Sequence, residues 1–186
     1  MRRLISLAIG SALVVTGACA QGPQNSNGGP SPVAPTTVTA PAATGGVPAL
    51  PPFNLEAILQ PVSSTYPDAL GLVKFRQPND VAKVVYLDAW VRDLAPNSAY
   101  QLQRAVDTTL DGVCTGTAWL TLGADNTTAR SILTDDRGTG EAALSRTLPT
   151  GTATGTAFDI DFRVIVADSS PANVVLQSDC YRYVVR

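Results

Sequence analysis

The feature that most constrains the fold is a succession of short extended segments between residue 53 and the C-terminus. The clearest segment is FDIDFRV, from Phe158 to Val164, in which apolar and charged side chains alternate with a period of two. Such alternation is typical of a β-strand with one buried face, so we expect Asp159, Asp161 and Arg163 to face solvent. The segment Lys83–Arg92 is apolar on both faces, which is typical of a central strand.

Six further segments have a strand-like pattern: Leu72–Gln77, Ala99–Val106, Ala118–Leu122, Ala129–Thr134, Glu141–Leu148 and Val174–Val185. Pro, Asn, Asp and Gly mark turns between them, and no helix-length periodic segment separates them. About eight short strands at this spacing predict an all-β fold, an antiparallel Greek-key β-sandwich or flattened barrel. For Asn54–Gln60 we predict one or two helical turns that end at Pro61.

The N-terminus has the parts of an export signal. The basic start MRR precedes Leu4–Val15, a run of about 12 apolar or small residues that is too short to span a bilayer. The sequence VTGAC, which ends at Cys19, resembles a bacterial lipobox, although Thr16 stands where Leu is usual. This resemblance implies cleavage before Cys19 and lipidation of its sulfur. A small-x-small site ending at Ala20 is the alternative, and it would give a freely secreted protein.

The segment that follows the signal has the composition of a tether. Residues 20–52 are rich in Pro, Gly, Ser, Thr and Ala and contain no charged residue, so they cannot bury a core. Such a spacer suits a domain held off a bilayer by lipid on Cys19. We therefore divide the chain into a signal peptide at 1–19, a disordered tether at 20–52 and a disulfide-bonded β-sandwich at 53–186. The expected location is the cell envelope, outside the cytoplasm and anchored to a membrane.

Composition restricts the chemistry that the domain can perform. The chain contains no His, so it lacks the usual general base near neutral pH and the commonest metal-binding side chain. A net charge of −2 and dispersed arginines argue against a nucleic-acid partner. In an oxidising compartment Cys114 and Cys180, the two cysteines left after export, favour a disulfide over free thiols. No third Cys completes a tetrahedral metal site, and we predict neither a metal nor a cofactor.

Several short motifs follow one another in a recognisable order. They are GLVKFRQ at 71–77, LAPN at 94–97, QLQ at 101–103, an Asp at 107, GVC at 112–114 and Cys180 near the C-terminus. Taken in this order, they resemble the copper/zinc superoxide dismutase family. The resemblance implies a similar Greek-key sandwich and a disulfide between the cysteine of the GVC motif and Cys180.

The resemblance ends at the metal site. Gln101 and Gln103 occupy the positions of the family's His-x-His copper motif, and the family binds copper and zinc mainly through histidines. Neutral amides are poor substitutes for imidazole at Cu(II) or Zn(II). We therefore expect a similar sandwich without the redox centre, and fold alone does not transfer the activity.

Three functions stay open at this point. The favoured one is a non-enzymatic envelope protein for binding, adhesion or structural spacing, with an extracellular protein or a glycan as its partner. The second is a dismutase-like metal-binding or enzyme-derived domain. The third is a carbohydrate-binding module, in which sugars stack on aromatic side chains; the candidates, for which core packing is favoured, are Trp90, Trp119, Tyr86 and Tyr100. We name no catalytic residue, because Asp159 and Asp161 are better explained by cross-strand pairing with Arg or by hydration than as an acid–base pair. The ligand and the oligomeric state stay open.

Overall fold

A computed structural model describes residues 52–186 of the protein, and these residues form ten strands and no helix. The predicted signal peptide, Cys19 and the tether as far as residue 51 lie outside the described residues. The described part of the chain contains no helix long and apolar enough to span a membrane. The strands are β1 (Phe53–Pro61), β2 (Leu70–Gln77), β3 (Val84–Arg92), β4 (Ala99–Asp107), β5 (Leu120–Thr121), β6 (Ser131–Thr134), β7 (Gly140–Thr147), β8 (Ala157–Val166), β9 (Val174–Ser178) and β10 (Tyr181–Val184).

Eight of these strands form a closed antiparallel barrel. Neighbouring strands follow the order β8-β9-β1-β2-β3-β7-β6-β4, and the pairing of β4 with β8 closes the ring. The short strand β5 adds to β4, and β10 adds to β8. Within the ring, β3, β7, β6 and β4 lie side by side in the order of a Greek key. The predicted antiparallel all-β class is therefore confirmed, and its form is a closed barrel with two additional strands.

The core lies inside the barrel, where every second side chain of each strand points inward. On β3, for example, Val85, Leu87, Ala89 and Val91 are buried and alternate with residues of the outer face. The largest fully buried side chains include Tyr100, Phe162, Leu59, Leu102, Ile132 and Leu176. Because the inward positions of opposite strands meet across the ring, a single apolar core holds the barrel together.

The prediction of a helical turn at Asn54–Gln60 was wrong, because this segment belongs to strand β1. It pairs with β2 from Phe53 opposite Gln77 to Leu59 opposite Gly71, and its end also pairs with β9. The side chains of Ala57 and Leu59 are fully buried. Helix propensities differ by less than about 1 kcal/mol per residue among ordinary residues, so two strand partners and core burial outweigh them.

The prediction that Asp159, Asp161 and Arg163 on β8 face solvent was also wrong. Asp159 is 1% exposed and Asp161 is 4% exposed, while Arg163 is half-buried. The β4–β5 loop (residues 108–119) crosses this side of the barrel, and β9 and β10 contribute further side chains to it. A strand whose outer face is polar in sequence is therefore covered on both faces, and the covering groups are themselves polar.

The predicted last strand, Val174–Val185, is two strands rather than one. β9 pairs with one half of β8 and β10 with the other half. Between them, the Ser178 hydroxyl accepts the backbone N–H of Phe162 at 3.0 Å and donates to the carbonyl of Asp179 at 2.7 Å. A side-chain group thus takes the place of a ladder hydrogen bond, and the strand is interrupted at the point where Cys180 turns toward the loop.

Candidate functional site

An interior cavity of about 240 Å³ lies at one end of the barrel. Its wall is mainly apolar and is built by Phe75, Val85, Leu87, Val106, Leu122, Phe158, Ile160 and Phe162. Leu148, Pro149 and Thr152, at the connection between β7 and β8, line its partly exposed rim. An apolar cavity of about 150 Å³ can bind benzene, so this cavity can hold a molecule larger than a benzene ring.

Two arginines place their side chains in this cavity. Arg104 on β4 lies between the inward-facing Leu102 and Val106 and pairs in register with Phe162 of β8. Arg146 on β7 pairs in register with the buried Val85 of β3 and also lines the cavity. Strand alternation dictates these positions, because side chains two residues apart share a face. The cavity at this end of the barrel therefore has a mainly apolar wall with one cationic side chain on β4 and one on β7.

The two guanidinium groups lack full compensation. Burial lowers the pKa of Arg104, and repulsion from Arg146 lowers it further. The Nη1 of Arg146 donates to the carbonyl of Asn126 at 3.3 Å, whereas its buried Nε has no hydrogen-bond partner. Within residues 52–186, neither arginine forms an ion pair with a carboxylate. A partly desolvated cation without a counter-charge is costly, so this end of the barrel favours an anion.

A hydrogen-bonded group around Tyr183 forms another part of the cavity wall. The Tyr183 hydroxyl donates to Oε1 of the fully buried Gln77 at 2.5 Å, and the same oxygen accepts the backbone N–H of Arg186 at 2.9 Å. Burial raises the pKa of Tyr183 above its ordinary value. The phenol therefore stays protonated and engaged with Gln77, and it acts as a wall of the cavity rather than as a proton donor to a ligand.

Gln101 and Gln103, the positions that match the lost metal motif, lie on the outer face of β4 and are 7% and 9% exposed. The Nε2 of Gln101 donates to Asp168 at 3.3 Å. Gln103 donates to the Thr121 hydroxyl at 2.9 Å and accepts from Nε of Arg163 at 2.7 Å. Both amides are thus occupied by protein groups, and a guanidinium stands beside Gln103 where a metal ion would be repelled. The residues present do not fit a copper or zinc site.

The same side of the barrel contains Asp159 and Asp161. Asp159 accepts two hydrogen bonds from Arg182 and one from the backbone N–H of Gly112 at 2.7 Å, and these interactions lower its pKa. Arg182 is its cross-strand neighbour, so the predicted pairing with an Arg is found for Asp159. Asp161 accepts from Gln177 at 3.2 Å, while its buried Oδ1 has no partner. Within residues 52–186, no three His, Cys, Asp or Glu side chains form a potential metal site.

The expected disulfide is present between Cys114 and Cys180, whose Cα atoms lie 5.4 Å apart. It joins the β4–β5 loop to the turn between β9 and β10. The loop has three further attachments: Gly112 donates to Asp159, Asp107 accepts hydrogen bonds from Thr115, and the Trp119 ring lies 3.9 Å from the guanidinium of Arg163. The disulfide therefore fixes the segment that covers Asp159 and Arg163, on the outside of the barrel rather than at the cavity.

Of the four aromatic candidates for sugar stacking, Tyr100 alone lies in the core as favoured. Tyr86 and Trp90 belong to the outer face of β3, so the expectation of core packing was wrong for them. The reason is register: Val85, Leu87, Ala89 and Val91 take the inward positions, and their neighbours must point outward. Trp90 borders two shallow depressions on this face, which also contain Asp88, Glu141, Lys74 and Arg130.

Sequence reasoning missed Arg104 and Arg146, because the arginines were considered dispersed. A signal existed: Arg104 shares its face of β4 with Leu102 and Val106, and Arg146 shares its face of β7 with Leu144. A cation on the apolar face of a predicted strand is a candidate functional residue. That both line one cavity follows only from the tertiary structure, in which β4 and β7 both pair with β6.

Fold and site together define a closed antiparallel β-barrel with a cationic interior cavity. No family model, no curated protein and no solved structure matches this chain.

Proposed function

We propose that this chain is an exported, lipid-anchored envelope protein whose barrel binds a small apolar molecule without transforming it chemically. The observation that carries the proposal is the interior cavity of about 240 Å³. An eight-stranded barrel is just wide enough to be filled by side chains or to hold one small ligand. Here the end lined by β4, β7 and β8 is not filled, and its rim is partly exposed.

The chemistry of the lining favours binding over catalysis. Apart from apolar side chains, the cavity presents the guanidinium groups of Arg104 and Arg146, the hydroxyl of Thr152 and the engaged phenol of Tyr183. These groups can orient a ligand, but a general base or a nucleophile needs a group that exchanges a proton near neutral pH. The basic start, apolar run and Cys19 of the N-terminus support export and anchoring in the envelope.

The test is a titration of the full chain carrying Cys19→Ser, which avoids detergent, with 4-phenylbutan-1-ol and with 4-phenylbutyrate. Methyl NMR signals of Val85, Leu87 and Ile160 report on the cavity. We expect saturable shifts with at least one of the two compounds. Leu148→Trp and Thr152→Trp, at the rim, should abolish them because the indole fills the entrance.

The matched control is Thr154→Trp, an exposed residue of the same connection that does not line the cavity. This variant should bind as the unsubstituted protein does. If neither compound gives saturable shifts, or if both rim variants remain folded and bind normally, the proposed function is wrong.

A second candidate is a carbohydrate-binding face on the outside of β2, β3 and β7. The specific observation is Trp90 on the outer face, next to Glu141 in register on β7 and near Lys74 and Asp88. Aromatic rings flanked by polar groups suit sugar stacking. Tryptophan fluorescence that stays constant across a glycan panel, in the protein and in its Trp90→Phe variant, would eliminate this candidate.

A further inference from the structure

We infer that the ligand of the interior cavity is a small carboxylic acid with an apolar body, bound as its anion by Arg104 and Arg146; this inference rests on the proposed function of the cavity. Both arginines line the cavity from different strands, and between them they present a cationic end to an otherwise apolar space. A carboxylate with a hydrocarbon or aryl body matches both parts.

The first step concerns charge. Within residues 52–186, no carboxylate of the protein pairs with either guanidinium, although the chain as a whole has a net charge of −2. The acidic residues are thus placed elsewhere, and the two cations share one cavity. Because like charges in a partly desolvated site repel each other, the arrangement is costly unless an anion lies between them.

The second step concerns hydrogen bonds. Guanidinium groups donate in a planar fork that matches the two oxygens of a carboxylate. The Nε of Arg146 is buried and has no acceptor, and its Nη1 reaches only the Asn126 carbonyl at 3.3 Å. Within residues 52–186, no protein side chain accepts a hydrogen bond from either guanidinium group.

The third step concerns the rest of the ligand. Apart from the arginines, the wall consists mainly of aromatic and aliphatic side chains such as Phe75, Leu87 and Phe162. Burial of apolar surface contributes about 25 cal/mol per Å², so an apolar body adds affinity in proportion to its contact with this wall. A volume of about 240 Å³ limits that body to a ring with a short chain or to a medium alkyl chain.

The experiment compares acids with their neutral counterparts by calorimetry on the full chain carrying Cys19→Ser. The pairs are 4-phenylbutyrate with 4-phenylbutan-1-ol and octanoate with octan-1-ol. Comparison of the two acids shows whether the cavity prefers an aromatic or an aliphatic body. We expect the acid of at least one pair to bind at least about tenfold more tightly than its alcohol, because charge-assisted hydrogen bonds are strong.

Two variants assign this preference to the arginines. Arg104→Gln and Arg146→Gln should each weaken binding of the acid about tenfold or more and change binding of the alcohol less than about threefold. The matched control is Arg130→Gln, which removes the same charge from an exposed site outside the cavity. It should leave both affinities unchanged.

Thermal unfolding without ligand separates ligand binding from a structural role. If the two arginines form an anion-binding site, the charge of Arg104 is uncompensated in the ligand-free protein. Arg104→Gln should then unfold at the same or a higher temperature than the unsubstituted protein, because an uncompensated charge is removed. The inference is wrong if acids and alcohols bind equally, or if both variants bind acids normally. In either case, binding that the rim variants block would leave the proposed function standing, and binding that they do not block would refute that function as well.

Discussion

Asp159 and Asp161 lie two residues apart on β8, but their surroundings affect the two carboxylates in opposite ways. Hydrogen bonds from Arg182 and Gly112 lower the pKa of Asp159. Burial raises the pKa of Asp161, and the hydrogen bond from Gln177 at 3.2 Å and the positive charge of Arg163 oppose this only in part. The surroundings thus favour the ionised carboxylate of Asp159 and disfavour that of Asp161, although both residues lie on the same face of β8.

We predict that Asp161→Asn and Asp159→Asn change the free energy of unfolding at pH 7 in opposite directions. A raised pKa in the folded state means that the stability contribution of Asp161 is present at acidic pH and is lost as pH rises through the folded pKa. We therefore expect Asp161→Asn to increase the free energy of unfolding at pH 7 by about 1 kcal/mol, with the gain disappearing toward pH 3. Urea unfolding at several pH values measures it.

Asp159→Asn is the matched control. Because the folded pKa of Asp159 is lowered, its contribution is present above the unfolded pKa and lost as pH falls through the folded pKa. This variant should be destabilised at pH 7 and approach the unsubstituted protein in acid. Equal effects of the two substitutions at pH 7 would contradict the assignment of their surroundings.

At the level of elements, the β4–β5 loop is fixed to the barrel at several points. Cys114–Cys180 joins it to the β9–β10 turn, Gly112 donates to Asp159, and Trp119 packs on Arg163. These attachments cover the outer faces of β4 and β8, while the cavity lies on their inner faces. The loop therefore stabilises the strands that present Arg104 without lining the cavity.

Removal of the disulfide tests this division of roles. The bond spans 66 residues, and closing a loop of this length stabilises by about 4 kcal/mol in the chain-entropy model. We expect Cys114→Ser/Cys180→Ser to lower the free energy of unfolding by an amount of this order. Under conditions where this variant is folded, its affinity for the cavity ligand should stay within about threefold. A selective loss of binding in the folded variant would show that the loop shapes the cavity.

At the level of the whole molecule, the proposal combines an anchor, a spacer and a barrel with an interior site. The predicted tether, residues 20–52, has no charge and a composition that cannot form a core. A single acyl chain gives reversible membrane binding, so stable anchoring requires more than one chain on Cys19. Lipid attachment would keep the cavity close to a membrane, a source of apolar acids.

The mass of the mature protein from its native membrane tests this organisation. We expect a chain that begins at Cys19, has gained a diacylglyceryl group and has lost two hydrogens through the disulfide. Cys19→Ser should release the protein from the membrane fraction. An unlipidated chain that begins at Gln21 would instead establish free secretion.

The sequence by itself determined the class of the fold and the disulfide. Alternation with a period of two, as in Phe158–Val164, is a local property of extended backbone, and turn residues mark its ends. With Cys19 set aside by the predicted export signal, Cys114 and Cys180 have one possible pairing. Seven of the predicted strands lie where the structure has strands, whereas Val174–Val185 is divided at Ser178. The resemblance to the dismutase family stays a prediction.

The tertiary structure alone decided which faces are covered and what lies inside the barrel. Asp161 is buried because a distant loop and Gln177 meet over β8, and the helix-compatible segment after Asn54 is a strand because β2 and β9 pair with it. Arg104 and Arg146 are 42 positions apart in sequence and line one cavity because β4 and β7 both pair with β6 in the barrel. Alternation assigns a side chain to one of two faces, but strand pairing and closure decide what each face meets.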